Sequence, residues 1–237
     1  MKYQHDEKVI SKEDKKQAEK ENAMICVSVG DGIKKTFLDL GVDHIIEGGQ
    51  TMNPSTEDIL AAIESVNAKN VYVFPNNKNI ILAAEQAQKL SDSNVVVIPT
   101  KSIPQAISAI LVYDEDASVE ENKEEMCDVI SGVKCVQITT AVRDTNLDGL
   151  EIKTGDILSI IDGKISFTGE KAYDVLLSSI EKIADDDTAV ITVFCGEDVT
   201  KEEEIKLKNA LLEEYEDCDI TVTHGGQPVY QFIASAE

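Results

Sequence analysis

From Ala23 onward, short apolar runs and amphipathic stretches take turns. Met24 to Val29 is an apolar run of the kind a strand buried on both faces carries. Gly30-Asp31-Gly32 turns it into a periodic stretch that reaches Leu40. The same alternation repeats with strands at Val42 to Ile46, Asn70 to Phe74 and Asn94 to Ile98. Helical stretches follow them to Val66, to Leu90 and over Ile103 to Val112. Strands that alternate with helices predict a parallel sheet covered on both faces. A further helix over Val119 to Ile130 carries an acidic face and stops at Ser131-Gly132, where a domain boundary is placed.

Beyond that point the order changes. Lys134 to Val142 alternates as a strand, and Asp148-Gly149 marks a turn. Asp162-Gly163 between Asp156 to Ile161 and Lys164 to Phe167 is a hairpin signal. Glu170 to Ala184 is an amphipathic helix, Ala189 to Phe194 a strand and Lys201 to Tyr215 a helix. Strands at Asp219 to Thr223 and Val229 to Ala234 flank the turn His224-Gly225-Gly226-Gln227-Pro228. The expected fold is α/β with two subdomains: a parallel-sheet, three-layer unit over 23–132, then a smaller mixed-sheet unit over 133–237. Met1 to Asn22 is dense in Lys, Glu and Asp and reads as a charged linker or helix.

One stretch organises the first unit. Glu47 to Asp58, sequence EGGQTMNPSTED, joins the second strand to its helix. Pro54 keeps that helix from starting early, Ser55 or Asn53 can cap it, and Glu57 and Asp58 suit its first turn. In a parallel sheet such a loop lies at the carboxyl end of a strand, where these folds bind ligands. Thr51 to Ser55, Asn76 to Asn79 and Thr100 to Ser102 follow successive strands and so gather on one rim. Thr51, Asn53, Ser55, Asn76, Asn77, Asn79, Thr100 and Lys101 are therefore candidates for holding a carboxylate, a phosphate or a partner. Simple helix capping is the competing account of the same residues.

Charge narrows the field. The net charge is −23, with Arg143 the one arginine, which argues against nucleic acid and anionic membrane surfaces. No run reaches transmembrane length. Cys26, Cys127, Cys135, Cys195 and Cys218 are scattered, with no C-x-x-C pair, so zinc and disulfide frameworks are not expected and a reducing cytoplasm fits. Gly30-Asp31-Gly32 lacks the third glycine of a dinucleotide loop, because Lys35 stands in its place; Glu47 lies at the distance of a ribose-binding acid. Arg143 either pairs with acids such as Asp144 or offers its fork to a partner's carboxylate. His44 reads as a core residue. His224 has no evident nucleophile beside it, and the run Glu202 to Glu204 reads as a solvated face.

Five strings carry more than local structure. EGGQTMNPSTEDIL at Glu47 to Leu60, PNNKNIILAA at Pro75 to Ala84, VIPTKSIPQ at Val97 to Gln105, AVRDT at Ala141 to Thr145 and GGQPVY at Gly225 to Tyr230 are long and specific. Together they resemble the C-terminal region of the fatty acid kinase A family, a dihydroxyacetone-kinase-like group. The Thr51 to Ser55 loop also resembles that of DegV-type fatty-acid-binding proteins, which implies a related two-domain EDD-like fold. The resemblance implies a part in a two-component kinase. A DegV-type binding protein presents a fatty acid, the kinase chain phosphorylates its carboxylate, and the product enters phospholipid synthesis. ATP and magnesium belong to an N-terminal domain that nothing here matches, so no cofactor and no catalytic residue is expected in this chain. The expected role is docking of the fatty-acid-binding partner, with Gln227 added to the contact candidates and a homodimer of the full-length protein left open. The alternative is a DegV-like module that binds its own ligand. A hydrolase is the weakest reading, since no nucleophile–base pair supports it.

Overall fold

The computed structural model describes residues 20–49, 52–147 and 150–237. Its first sheet consists of β1 (Lys20–Ser28), β2 (His44–Glu47), β3 (Ala68–Phe74) and β4 (Asn94–Val97), all parallel, in the order β2-β1-β3-β4. Side chains alternate across it as the pleat demands. Ala23, Ile25 and Val27 of β1 join Val71, Val73, Val95 and Val97 under α2 (Thr56–Val66) and α3 (Lys78–Leu90). Met24 and Cys26 join Tyr72, Phe74 and Val96 on the opposite face, under α1 (Asp31–Asp39), α4 (Ile103–Leu111) and α5 (Val119–Gly132). These are the three expected layers.

The strand β1 starts at Lys20, inside the stretch read as linker. Lys20 pairs with Ala68 and Asn22 with Asn70, and Lys69 Nζ donates to Glu21 at 2.7 Å, so charged edge residues extend the ladder without any apolar signal. Met1 to Glu19 of that linker lie outside the described residues.

The second sheet is mixed, in the order β11-β10-β12-β5-β8-β9. Its strands are β5 (Lys134–Thr140), β8 (Ile157–Ile161), β9 (Lys164–Gly169), β10 (Val190–Cys195), β11 (Asp219–His224) and β12 (Tyr230–Ala236). Within it, β10 and β11 are parallel and the other neighbours antiparallel. α6 (Ala172–Ile183) and α7 (Lys201–Glu214) cover one face. An additional hairpin, β6 (Thr145–Leu147) with β7 (Leu150–Ile152), has no counterpart in the hydrophobic pattern; its strands are three residues each and largely exposed. Asp148-Gly149, its predicted turn, lies outside the described residues.

The free face of the second sheet meets the first unit. Phe194 and Ile233 belong to the same buried cluster as Ile33, Phe37 and Ile103. Ser102 Oγ lies 2.9 Å from Cys135 Sγ, and Ser108 Oγ donates to Glu237 Oε2 at 2.7 Å, which ties the N-cap and the middle of α4 to β5 and to the residue after β12.

Candidate functional site

Because β2, β3 and β4 are parallel, the loops that follow them do converge. Asn76 sits in the left-handed region at φ 58° and is held from every side. Its Nδ2 donates to the Val27 carbonyl at 2.9 Å, its Oδ1 accepts from Thr100 Oγ1 at 2.7 Å, and its backbone N–H donates to the same hydroxyl oxygen at 3.1 Å. Asn77 caps α3, with Oδ1 accepting from Asn79 N at 2.9 Å, and its Nδ2 donates to the Gly49 carbonyl. Ser55 and Asp58 close a capping box on α2. Lys101 is exposed, and its backbone N–H donates to Gln105 Oε1 at 2.7 Å. Asn53 is exposed and makes no hydrogen bond among the described residues. Thr51 lies outside them. The rim therefore brings Asn76, Asn77, Asn79 and Thr100 together and occupies the side chains of Asn76, Asn77 and Thr100 internally, while Asn79 contributes its backbone N–H.

Two hollows adjoin this rim. The inner one, about 30 Å³, touches Ser28, Gly49, Asn76, Asn77 and Tyr230. That is room on the order of one or two water molecules. Ser28 Oγ, buried beside it, has no hydrogen-bond partner among the described residues. The outer one is an open cleft of about 700 Å³ between the two sheets, bordered by Lys78, Lys101, Lys134, Asp162 and Tyr230. The first turns of α3 and α4 carry no acid, whereas those of α2, α5 and α7 do. Positive helix ends and lysines thus coincide at one edge of a strongly acidic chain.

Gly30 and Gly32 prove to be a docking point within the molecule. The Gly225 carbonyl accepts from Gly32 N at 3.0 Å and Ile33 N at 3.2 Å, so the turn between β11 and β12 caps α1. A Cβ on Gly32 would lie 1.8 Å from the His224 carbonyl oxygen, and one on Gly30 would lie 2.5 Å from that of Gly225. These amides are not free for a dinucleotide phosphate, and Glu47 pairs with Lys34 Nζ at 2.8 Å instead of waiting for a ribose. Gln227, buried in the same turn, donates from Nε2 to the Phe194 carbonyl at 2.9 Å and so holds the turn onto β10.

One acid departs from the expected solvated face. Glu204 is 4% exposed and accepts from Lys201 Nζ and His224 Nδ1, each at 2.7 Å. An ionised carboxylate only accepts, so the His224 proton is on Nδ1. Burial pushes the Glu204 carboxyl up, but the hydrogen bonds from Lys201 and His224 outweigh it and hold the group below its ordinary value. A lowered folded pKa stabilises above the unfolded value, about 4.3. That contribution is lost as pH falls through the folded pKa. Glu204→Gln is expected to lower the urea midpoint at pH 7, and the gap to the parent chain should narrow as pH falls below about 4.3 towards the lowered folded pKa. A gap independent of pH would refute the assignment. Cys135 and Cys195 are pushed by burial to about 12, which removes them as nucleophiles at neutral pH.

Arg143 does not pair with Asp144. Asp144 Oδ1 accepts from both the N–H and the hydroxyl of Thr154 at 2.7 Å. Those bonds lower the Asp144 pKa, first through the backbone donor. Among the described residues the Arg143 guanidinium has no hydrogen-bond or ion-pair partner. Beside it Val142 is 88% exposed. Against Thr139 of β5, Val229 has φ 71° and is flanked by a hydrogen bond from Tyr230 N to the Pro228 carbonyl at 2.8 Å. A bond across one residue with positive φ is the rarer, strained γ-turn form, and the position costs a β-branched side chain about 1–3 kcal/mol.

Comparison with known proteins agrees with this geometry. Residues 23–237 match the FakA-like C-terminal family, the C-terminal region of fatty-acid-kinase-A-like proteins. A protein of Staphylococcus aureus strain MRSA252 is 44% identical over 217 residues, which is 92% of this chain but 40% of the relative's length. The chain thus spans well under half of the curated relatives it matches. Among solved structures, a DegV family protein from Corynebacterium glutamicum superposes with a TM-score of 0.65 at 15% identity, covering 92% of this chain and 97% of the other. The Streptococcus pneumoniae fatty acid kinase B3 protein, loaded with linoleic acid, gives 0.61 at 11% identity, covering 92% and 99%. The fold is therefore DegV-like.

Proposed function

The chain belongs to the FakA-like C-terminal family of fatty acid kinases, and on that footing we propose that it is the non-catalytic part of a fatty acid kinase that docks a DegV-type fatty-acid-binding protein. An ATP-binding domain elsewhere in the full-length protein then phosphorylates the presented carboxylate. Cofactor chemistry, with ATP and magnesium, belongs to that domain. The observation that carries the reading is the state of the rim between the sheets. The side-chain amides of Asn76 and Asn77 and the Thr100 hydroxyl are spent on internal partners, and the hollow behind them is about 30 Å³. Small-molecule sites are about 300–1,000 Å³ and mostly apolar in lining. The cleft that reaches that size is open and bordered by lysines, which suits a protein surface better than an acyl chain.

Calorimetric titration of this chain with its cognate fatty-acid-binding protein should give saturable association. Absence of heat, with association retained by the full-length kinase, would move docking to another domain. Mass spectrometry of organic extracts of the purified chain should find no stoichiometric fatty acid. A co-purified fatty acid would instead favour a ligand-binding module. Among the described residues no helix is long and apolar enough to cross a membrane.

A further inference from the structure

Three uncharged polar side chains line the inner hollow, and none has a partner among the described residues. Ser28, the last residue of β1, is 1% exposed, and its hydroxyl is unpaired. Gln137 of β5 and Tyr230 of β12 line the same hollow, and the Gln137 amide and the Tyr230 hydroxyl are unpaired too. Asn76 and Asn77 form another wall, so these groups share one small space with the N-terminal end of α3. A hydroxyl buried without a partner costs about 1–3 kcal/mol, and a fold that keeps one calls for a reason.

Asn77, Gln137 and Tyr230 line the outer cleft as well, so hollow and cleft adjoin. The cleft reverses the balance of the chain. Over the whole sequence 45 acids face 22 Lys and Arg, whereas the cleft is bordered by three lysines and one acid, Asp162. Asp162 Oδ1 is engaged by Cys135 N at 2.9 Å, and Lys134 pairs with Asp185. The Lys78 and Lys101 ammoniums have no partner among the described residues. They stand at the starts of α3 and α4, whose first turns carry no acid.

We propose that the hollow and the adjoining part of the cleft form a phosphate site, for inorganic phosphate or for the phosphate end of a small phosphomonoester. One oxygen enters the hollow, which has room for little more, and accepts from Ser28, Gln137 and Tyr230. The remaining oxygens stay in the cleft with Lys78, Lys101 and the positive ends of two helices. Every unpaired group named here can donate, and two ammoniums match a dianion better than a carboxylate's single charge. The body of an ester has the open cleft of about 700 Å³ to occupy. The inference goes beyond the docking reading and does not rest on it.

Calorimetry and thermal unfolding at constant ionic strength test it, with inorganic phosphate, phenyl phosphate and acetate as probes. The parent chain should bind one or both phosphates saturably, unfold at a higher temperature with them, and bind acetate about tenfold more weakly or worse. The tighter of the two phosphates tells the free ion from the ester. Without ligand, Ser28→Ala should unfold at or above the parent temperature, since it removes an unpaired hydroxyl. It should nevertheless bind phosphate about tenfold more weakly, the worth of one hydrogen bond to a charged group. A merely structural Ser28 predicts the reverse: lower stability and unchanged affinity. Lys78→Gln and Lys101→Gln combined should also weaken binding by about tenfold or more. No saturable binding of either phosphate by the parent overturns the site, as does binding within twofold of the parent by both variant chains. Acetate bound as tightly as phosphate overturns the choice of anion.

Discussion

A Gly32→Ala chain is expected to lose about 1–5 kcal/mol of stability relative to the parent. Helix propensity alone predicts the opposite sign, because alanine inside a helix is favoured over glycine by about 1 kcal/mol. Geometry decides against propensity. The added Cβ would lie 1.8 Å from the His224 carbonyl oxygen, a backbone atom that cannot swing away. Relief requires the whole turn to withdraw, at about 1–3 kcal/mol for overpacking. Withdrawal also removes the Gly225 carbonyl from Gly32 N and Ile33 N, at about 0.5–1.5 kcal/mol for each bond. Against a total stability of about 5–15 kcal/mol this is a large fraction. Urea unfolding measures it as a lower midpoint. Gly132→Ala is the control: it closes α5, and its Cβ would meet nothing within 4 Å. That chain should match or slightly exceed the parent. Equal midpoints for Gly32→Ala and the parent would show that the turn does not bear on α1 as described.

Thr100→Val should cost about 2–6 kcal/mol, although the two side chains have nearly the same shape. Thr100 is fully buried, and its hydroxyl serves Asn76 twice, as donor to Oδ1 and as acceptor from the backbone N–H. Valine leaves both groups buried without a partner, at about 1–3 kcal/mol each. It also releases Asn76 from the left-handed conformation that the loop after β3 requires. Thr100→Ser keeps the hydroxyl and should recover most of the loss. If valine and serine unfold alike in urea, the methyl matters more than the hydrogen bonds, and the rim is not held together as argued.

Thr100 and Asn76 also show what could and could not be read from the residues. The alternation that places them after parallel strands is legible because β3 and β4 are buried on both faces, and each turn carries proline, glycine, serine or asparagine. That was enough to gather the loops on one rim. It was not enough to say whether their polar groups face a ligand or one another. That depends on contacts across tens of residues, such as Asn76 with Thr100 and Asn77 with Gly49. Glu204 was missed for a related reason. In the run Glu202 to Glu204 only the phase of α7 decides which acid turns inward, and nothing in the run announces that His224 waits there. Arg143 stands out by its rarity, but its place in the sequence leaves pairing with Asp144 and an outward fork both open, and the structure rules out the pairing. Neighbours in sequence do not face each other along extended chain, and Thr154 claims the carboxylate from across the β6–β7 hairpin. The start of β1 was hidden because Lys20 to Asn22 pair through backbone and ion pairs, with no apolar side to show.

The cap on α1 has a bearing on how the chain is made. Its acceptor is the carbonyl of Gly225, while the amides it serves are those of Gly32 and Ile33, about 190 residues earlier in the chain. At about 5–20 residues per second on a ribosome, on the order of ten to forty seconds separate their synthesis. Throughout that interval those two amides have water alone for company. The places that Phe194 and Ile233 will fill against Ile33, Phe37 and Ile103 also stand vacant. The nascent first half therefore displays an apolar patch beside α1 and α4 until the last strand emerges, which makes that patch the natural target for a chaperone.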